Sequence, residues 1–200
     1  MRRLQTRLDG EGYPTWSMTY PSRRQGLGDI AAEVARRVLL ETEAPRVAVT
    51  HSLGGIVARF VAAEVGWQRV CMIAPPNNGS SVARRLGTNP MFRWMYGPAG
   101  QEVSDASDWP IPRAPMGVIA GTRRLSVGNP TSWVTSWGLI SKDQASDGTV
   151  CVAETRMAEL TDFVAIDASH TWIMRHPDTL EQVVSFLDKG AFRRTDAPAS

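Results

Sequence analysis

Residues 46–55 read Arg46-Val47-Ala48-Val49-Thr50-His51-Ser52-Leu53-Gly54-Gly55, and the change of pattern within this stretch decides the fold class. Arg46 to Thr50 is a short, nearly all-apolar run of the kind buried on both faces of a parallel sheet. Ser52 follows on a tight turn, and Leu53 opens an apolar helical stretch that reaches about residue 65. Gly54 and Gly55 leave room for strand and helix to pass closely.

The same alternation extends in both directions. Upstream, Leu4 and Leu8 sit one turn apart on a short helix that Gly10 ends. Residues 15–20 mix β-branched, aromatic and small side chains and read as a strand that stops at Pro21. Ile30, Val34 and Val38 recur every four residues on one helix face, with Glu33, Arg36 and Arg37 opposite, and Pro45 breaks that helix. Downstream, strands are expected at 69–74, 116–120 and 162–166, with short helices at 82–86 and 91–95. A Gly/Ser/Trp-rich excursion runs to about residue 148, and Leu180, Val183, Val184 and Leu187 stripe a terminal helix. Strands alternating with helices predict an α/β fold with a mostly parallel sheet flanked by helices. Residues 1–190 read as a single domain and residues 191–200 as a polar, disordered tail.

Composition narrows the function classes. The chain has 200 residues, of which 42% are hydrophobic and 21% charged, which excludes a disordered or fibrous protein. Its 22 basic and 20 acidic side chains leave a net charge of +2, without the basic excess of a nucleic-acid-binding protein. Cys71 and Cys151 each lie in an apolar run and read as buried free thiols, which points to a reducing compartment. No run approaches the length of a membrane span, and Met1-Arg2-Arg3-Leu4 lacks the apolar core of a secretory signal. The expectation is a cytoplasmic protein with no metal or cofactor.

In an open parallel sheet, ligands bind beyond the carboxyl ends of the strands. Three reactive side chains follow predicted strands: Ser52, Asp147 in the excursion, and His170. A hydroxyl, a carboxylate and an imidazole in that order are the parts of a hydrolytic triad. The helix beginning at Leu53 places a positive dipole end under Ser52, and the Leu53 N–H is a candidate oxyanion donor. Against this stands a plainer role for Ser52 as a helix cap.

The His51-Ser52-Leu53-Gly54-Gly55 run is joined by Pro76-Asn77-Asn78-Gly79-Ser80, Asp147-Gly148-Thr149-Val150 and Ser169-His170. With these segments the chain resembles the α/β-hydrolases, in their lipase- and esterase-like branch, from residue 1 to about 192. Thr50 stands where the usual G-x-S-x-G elbow has its first glycine. The resemblance implies a serine nucleophile, an acyl-enzyme intermediate and a small-molecule ester substrate. Similar hydrolases begin with two or three further strands, and the loop after the third supplies a second oxyanion N–H. The resemblance therefore implies an N-terminally shortened fold, with a sheet edge open to pairing and the second donor unassigned.

The family pattern places the acid at Asp147. From the residues alone, Asp143, Asp162 and Asp167 compete. Asp162 begins a strand, at the wrong end of the sheet; Asp167 is too close in sequence to His170; Asp143 lies in the polar run Ser141-Lys142-Asp143-Gln144. Of the other histidines, His51 is expected to pack beside the site and His176, before Pro177, to cap the last helix. Trp94, Trp109, Trp133 and Trp137 either line an acyl pocket or fill the core, and Met91, Phe92, Met95 and Tyr96 read as packing; the Trp, Met and Phe content of the excursion, with few charges between Met91 and Tyr96, favours an apolar acyl group. Two other readings stay open: a non-catalytic remnant that binds or scaffolds, and acyl transfer to an acceptor other than water. The sequence leaves the oligomeric state open.

Overall fold

Four apolar runs become the strands β1 (Arg46–His51), β2 (Trp67–Ile73), β3 (Met116–Gly121) and β4 (Asp162–Ile166). In a computed structural model, which describes residues 1–86, 97–99, 102, 106–124 and 144–194, they form one sheet in the order β1-β2-β3-β4. Every neighbouring pair is parallel, with Val49 beside Cys71, Cys71 beside Gly117 and Gly117 beside Asp162. Every residue of β3 is buried, as a central parallel strand requires. All four carboxyl ends therefore lie along one rim.

The helices are α1 (Arg2–Gly10), α2 (Leu27–Glu41), α3 (Leu53–Phe60), α4 (Ala62–Val65), α5 (Ser81–Leu86), α6 (Val152–Thr155) and α7 (Pro177–Lys189). The two-residue period of the strands divides the core. Ala48, Val70, Met72, Met116 and Val118 face one way and meet Ala58 of α3. Ile56 and Val57 of α3 in turn pack with Ile30, Ala35 and Val38 of α2 and Val65 of α4. Cys71, Ile73, Ile119 and Ile166 face the other way, against Leu4 and Leu8 of α1 and Val183, Phe186 and Leu187 of α7. Phe186 is fully buried, and truncating such a ring to Ala costs about 3–5 kcal/mol. α7 starts at Pro177 and ends where Gly190 turns left-handed at φ 73°.

The structure departs from the sequence reading in several places. Residues 15–20 make no strand. Their polar groups are taken by side chains instead: the Thr15 N–H and hydroxyl donate to Asp9 Oδ1 at 3.1 and 2.8 Å, and Trp16 Nε1 donates to Glu41 at 2.7 Å. Trp16 and Tyr20 pack on the α2–α3 core, so the aromatic content served a helix-facing anchor rather than a sheet. The single helix expected over 53–65 breaks at Val61 into α3 and α4. Phe192, expected in the tail, is buried against Phe186 with ring centroids 5.1 Å apart. The 91–95 helix, Trp94, Trp133 and Trp137 lie outside the described residues. Cys71 and Cys151 are free and buried, and burial pushes the Cys151 thiol up to about 11 and Cys71 higher still. No helix among the described residues is long and apolar enough to cross a membrane.

Candidate active site

Ser52 sits between β1 and α3 at φ 53°, ψ −125°, a region that side-chain-bearing residues rarely adopt and that costs about 1–3 kcal/mol. Backbone bonds hold it there: the Ser52 N–H donates to the Ile73 carbonyl at 2.9 Å, and the Gly55 N–H donates to the Ser52 carbonyl at 3.0 Å. The turn leaves no space for a side chain at Gly55, where a Cβ would lie 2.8 Å from Pro75 and 3.3 Å from the Met72 sulfur. Thr50 lies opposite Gly54, where a Cβ would meet the Thr50 Cβ at 3.4 Å, an ordinary packing distance. Leu53 is the first residue of α3, so its N–H has no intrahelical acceptor.

The imidazole of His170 lies beyond β4 and reaches back across the rim. Its Nε2 is 3.1 Å from Ser52 Oγ and its Nδ1 is 2.7 Å from Asp147 Oδ2. A carboxylate only accepts, so Nδ1 carries the proton, which leaves Nε2 free to accept from the Ser52 hydroxyl. The second carboxylate oxygen of Asp147 accepts the N–H groups of Thr149 and Val150 at 2.9 and 2.8 Å. The His170 N–H also donates to the Asp147 carbonyl at 3.0 Å. Asp147 is 1% exposed and His170 9%, so water competes little for these bonds. Gly121, at the end of β3, makes the room: a Cβ there would lie 2.7 Å from Asp147 Cβ and 2.6 Å from the Ala168 carbonyl oxygen.

The other candidates lie elsewhere. Asp167 pairs with Arg123 at the surface. Asp162 accepts the Phe192 N–H at 2.7 Å and pairs with Arg194. Asp143 lies outside the described residues. His176 occupies the N-cap position of α7, yet its side chain makes no cap hydrogen bond. His51 packs beside the site, its ring centroid 4.7 Å from that of His170. Its Nε2–H donates to the His170 carbonyl at 3.0 Å. Burial, reinforced by the His170 imidazole, pushes His51 down to about 3, so it is neutral at ordinary pH.

Three buried polar side chains had been given no role: Arg59, Asn77 and Glu154. A lone arginine in the apolar helix run Ile56-Val57-Ala58-Arg59-Phe60 was the available signal for the first. A glutamate three residues after Cys151, in a capping-box position, was the signal for the third.

Neither a protein-family model nor a curated protein matches the sequence. Solved structures do match the fold. The mature Bacillus licheniformis lipase BlEst2 superposes with a TM-score of 0.66 at 15% identity, over 92% of this chain and 82% of that one. A metagenomic carboxyl esterase gives a TM-score of 0.68 at 17% identity over 85% of this chain, which spans 58% of the esterase. An extracellular α/β-hydrolase from a Paenibacillus species, which shares structural and functional homology with tobacco salicylic acid binding protein 2, gives a TM-score of 0.57 at 14% identity. That match covers 96% of this chain and 93% of the other. The chain has the α/β-hydrolase fold, with its parallel sheet flanked by helices.

Proposed function

We propose that the protein is a serine hydrolase that cleaves a carboxylic ester through an acyl-enzyme intermediate. The observation that carries this reading is the hydrogen-bonded row Ser52–His170–Asp147, with contacts of 3.1 and 2.7 Å and the last two side chains buried. A structural serine cap has no need of it.

In this reading Ser52 Oγ attacks the ester carbonyl carbon while its proton passes to His170 Nε2. The oxyanion that forms accepts the Leu53 N–H at the start of α3, where the helix dipole also favours negative charge. The tetrahedral intermediate collapses, the ester C–O bond breaks, and the leaving alcohol takes the proton from His170. Water then attacks the acyl-Ser52, giving its proton to His170, and the carboxylic acid leaves as Ser52 recovers its own. Asp147 keeps the His170 proton on Nδ1 and stabilises the imidazolium in each half-reaction.

The reading extends to an ester with an apolar acyl group, supported by the Trp, Met and Phe content, with few charges between Met91 and Tyr96, of the sequence between the nucleophile and the acid. A cytoplasmic location is supported by the two unpaired thiols. The test is turnover of a chromogenic short-chain ester by wild type and Ser52→Ala. Turnover lost by about 10⁴-fold or more in the variant is expected. Equal turnover in both contradicts the proposal.

A further inference from the structure

Asp147 belongs to no strand of the sheet. It sits on a turn closed by the Asp147 N–H to Val150 carbonyl bond at 3.2 Å and the Val152 N–H to Ala145 carbonyl bond at 2.9 Å. Besides the bond from the His170 N–H to the Asp147 carbonyl, this region is contacted by a segment without a role so far: residues 75–81, after β2.

This segment grips α6, which continues directly from the turn. The Glu154 carboxylate accepts the Cys151 N–H at 2.9 Å with one oxygen and the Ser81 N–H at 2.5 Å with the other. The Glu154 carbonyl accepts the Asn78 N–H at 2.8 Å. The Asn77 side chain donates through Nδ2 to the Thr155 carbonyl at 3.1 Å. Asn77 is held from its other side by Arg59, whose Nη1 donates to the Asn77 carbonyl at 3.0 Å. Arg59 Nη1 also lies 3.5 Å from Asn77 Oδ1, and Nε and Nη2 donate to the carbonyls of Pro110 and Trp109 at 2.8 and 3.2 Å. Asn77 is 2% exposed, Arg59 4% and Glu154 8%, so no solvent replaces a lost partner cheaply. Arg59 lies on α3, the helix that starts at Ser52. One buried polar chain therefore runs from the Ser52 helix, through Asn77, to the Asp147 turn.

We propose that Asn77 and Glu154 are positioning residues that hold Asp147 against His170, with Arg59 tying their grip to the helix of Ser52. This inference rests on the triad reading above and adds the device that fixes the register between nucleophile and acid. Asp147 bonds His170 across 2.7 Å, and a misplacement of about 1 Å at a catalytic group costs on the order of 10²-fold in rate.

The test is a double-mutant cycle on the full chain, combining Asn77→Ala with Asp147→Asn, read as kcat and KM for a chromogenic ester. Asn77→Ala is expected to lower kcat by about 10–10²-fold with KM changed less than about twofold. In the Asp147→Asn background it is expected to cause no further loss, because the group it positions has gone. The far-downfield proton resonance of the His170–Asp147 bond is expected to shift or vanish in Asn77→Ala. Glu154→Gln runs through the same cycle. It keeps the side-chain volume but turns one acceptor into a donor facing a backbone N–H, and it serves where Asn77→Ala does not fold. Equal loss in both backgrounds, or a lower unfolding midpoint with kcat and the resonance unchanged, overturns the inference and leaves the triad standing. Full turnover in Asp147→Asn removes the triad reading, and the inference with it.

Discussion

His51 supplies a stability test whose sign and size follow from its surroundings. Its Nε2–H is committed to the His170 carbonyl at 3.0 Å, and burial, with the His170 imidazole beside it, lowers its pKa from 6.5 to about 3. The folded protein thus holds His51 neutral, while the unfolded chain takes up a proton with a midpoint near 6.5. Stability from this residue is complete above that value and is lost as pH falls towards 3. At pH 5 the unfolded state gains RT ln(1 + 10^1.5), about 2 kcal/mol. That figure holds for any folded value well below 5. His51→Gln retains an N–H for the His170 carbonyl and removes the titration. Urea unfolding of both proteins at pH 7.5 and pH 5 isolates the residue, since every other titrating group is common to the two. Wild type is expected to lose about 2 kcal/mol more than the variant between these conditions. Parallel losses would refute the assignment of His51 as neutral in the folded protein.

Three other perturbations probe the site. Gly121→Ala places a Cβ 2.7 Å from Asp147 Cβ and 2.6 Å from the Ala168 carbonyl; it is expected to destabilise by about 1–3 kcal/mol and to lower kcat by displacing the acid, and full kcat in a chromogenic-ester assay would contradict the packing described. Asp147→Asn and His170→Ala are each expected to reduce turnover by about 10⁴-fold without adding when combined, because the row acts as a unit; losses that multiply in the double variant would argue for separate roles. In a chain-length series of chromogenic esters, kcat/KM is expected to rise with apolar acyl chains over charged ones, and preference for a charged acyl group would exclude an apolar pocket.

What could be read from the sequence depended on how locally each feature is encoded. β1, β2, β3 and β4 were legible because strands of a parallel sheet covered by helices carry short apolar runs, such as Val70-Cys71-Met72-Ile73 in β2, all four residues of which are buried. The tight turn at Ser52 was legible because it places Gly55, where a Cβ would lie 2.8 Å from Pro75, three residues on. Asp147 stood out among the acids by its turn glycine, Gly148, which adopts φ 91°. The extended look of residues 15–20 misled, because Thr15 and Trp16 bond to Asp9 and Glu41 on helices and not to a strand. The Arg59–Asn77–Thr155 chain left almost no local trace, since its partners lie 18 and 78 residues apart. His51 touches a carbonyl 119 residues away, a contact that only the closed fold creates.

The central claim is that Ser52 is a nucleophile activated by His170. The direct measurement is mass spectrometry of the protein after reaction with a fluorophosphonate, with peptide mapping of the adduct. The account predicts one label per chain, on the peptide containing Ser52, with no label in Ser52→Ala and much slower labelling in His170→Ala. A label on another residue, or equal labelling of wild type and Ser52→Ala, would contradict it.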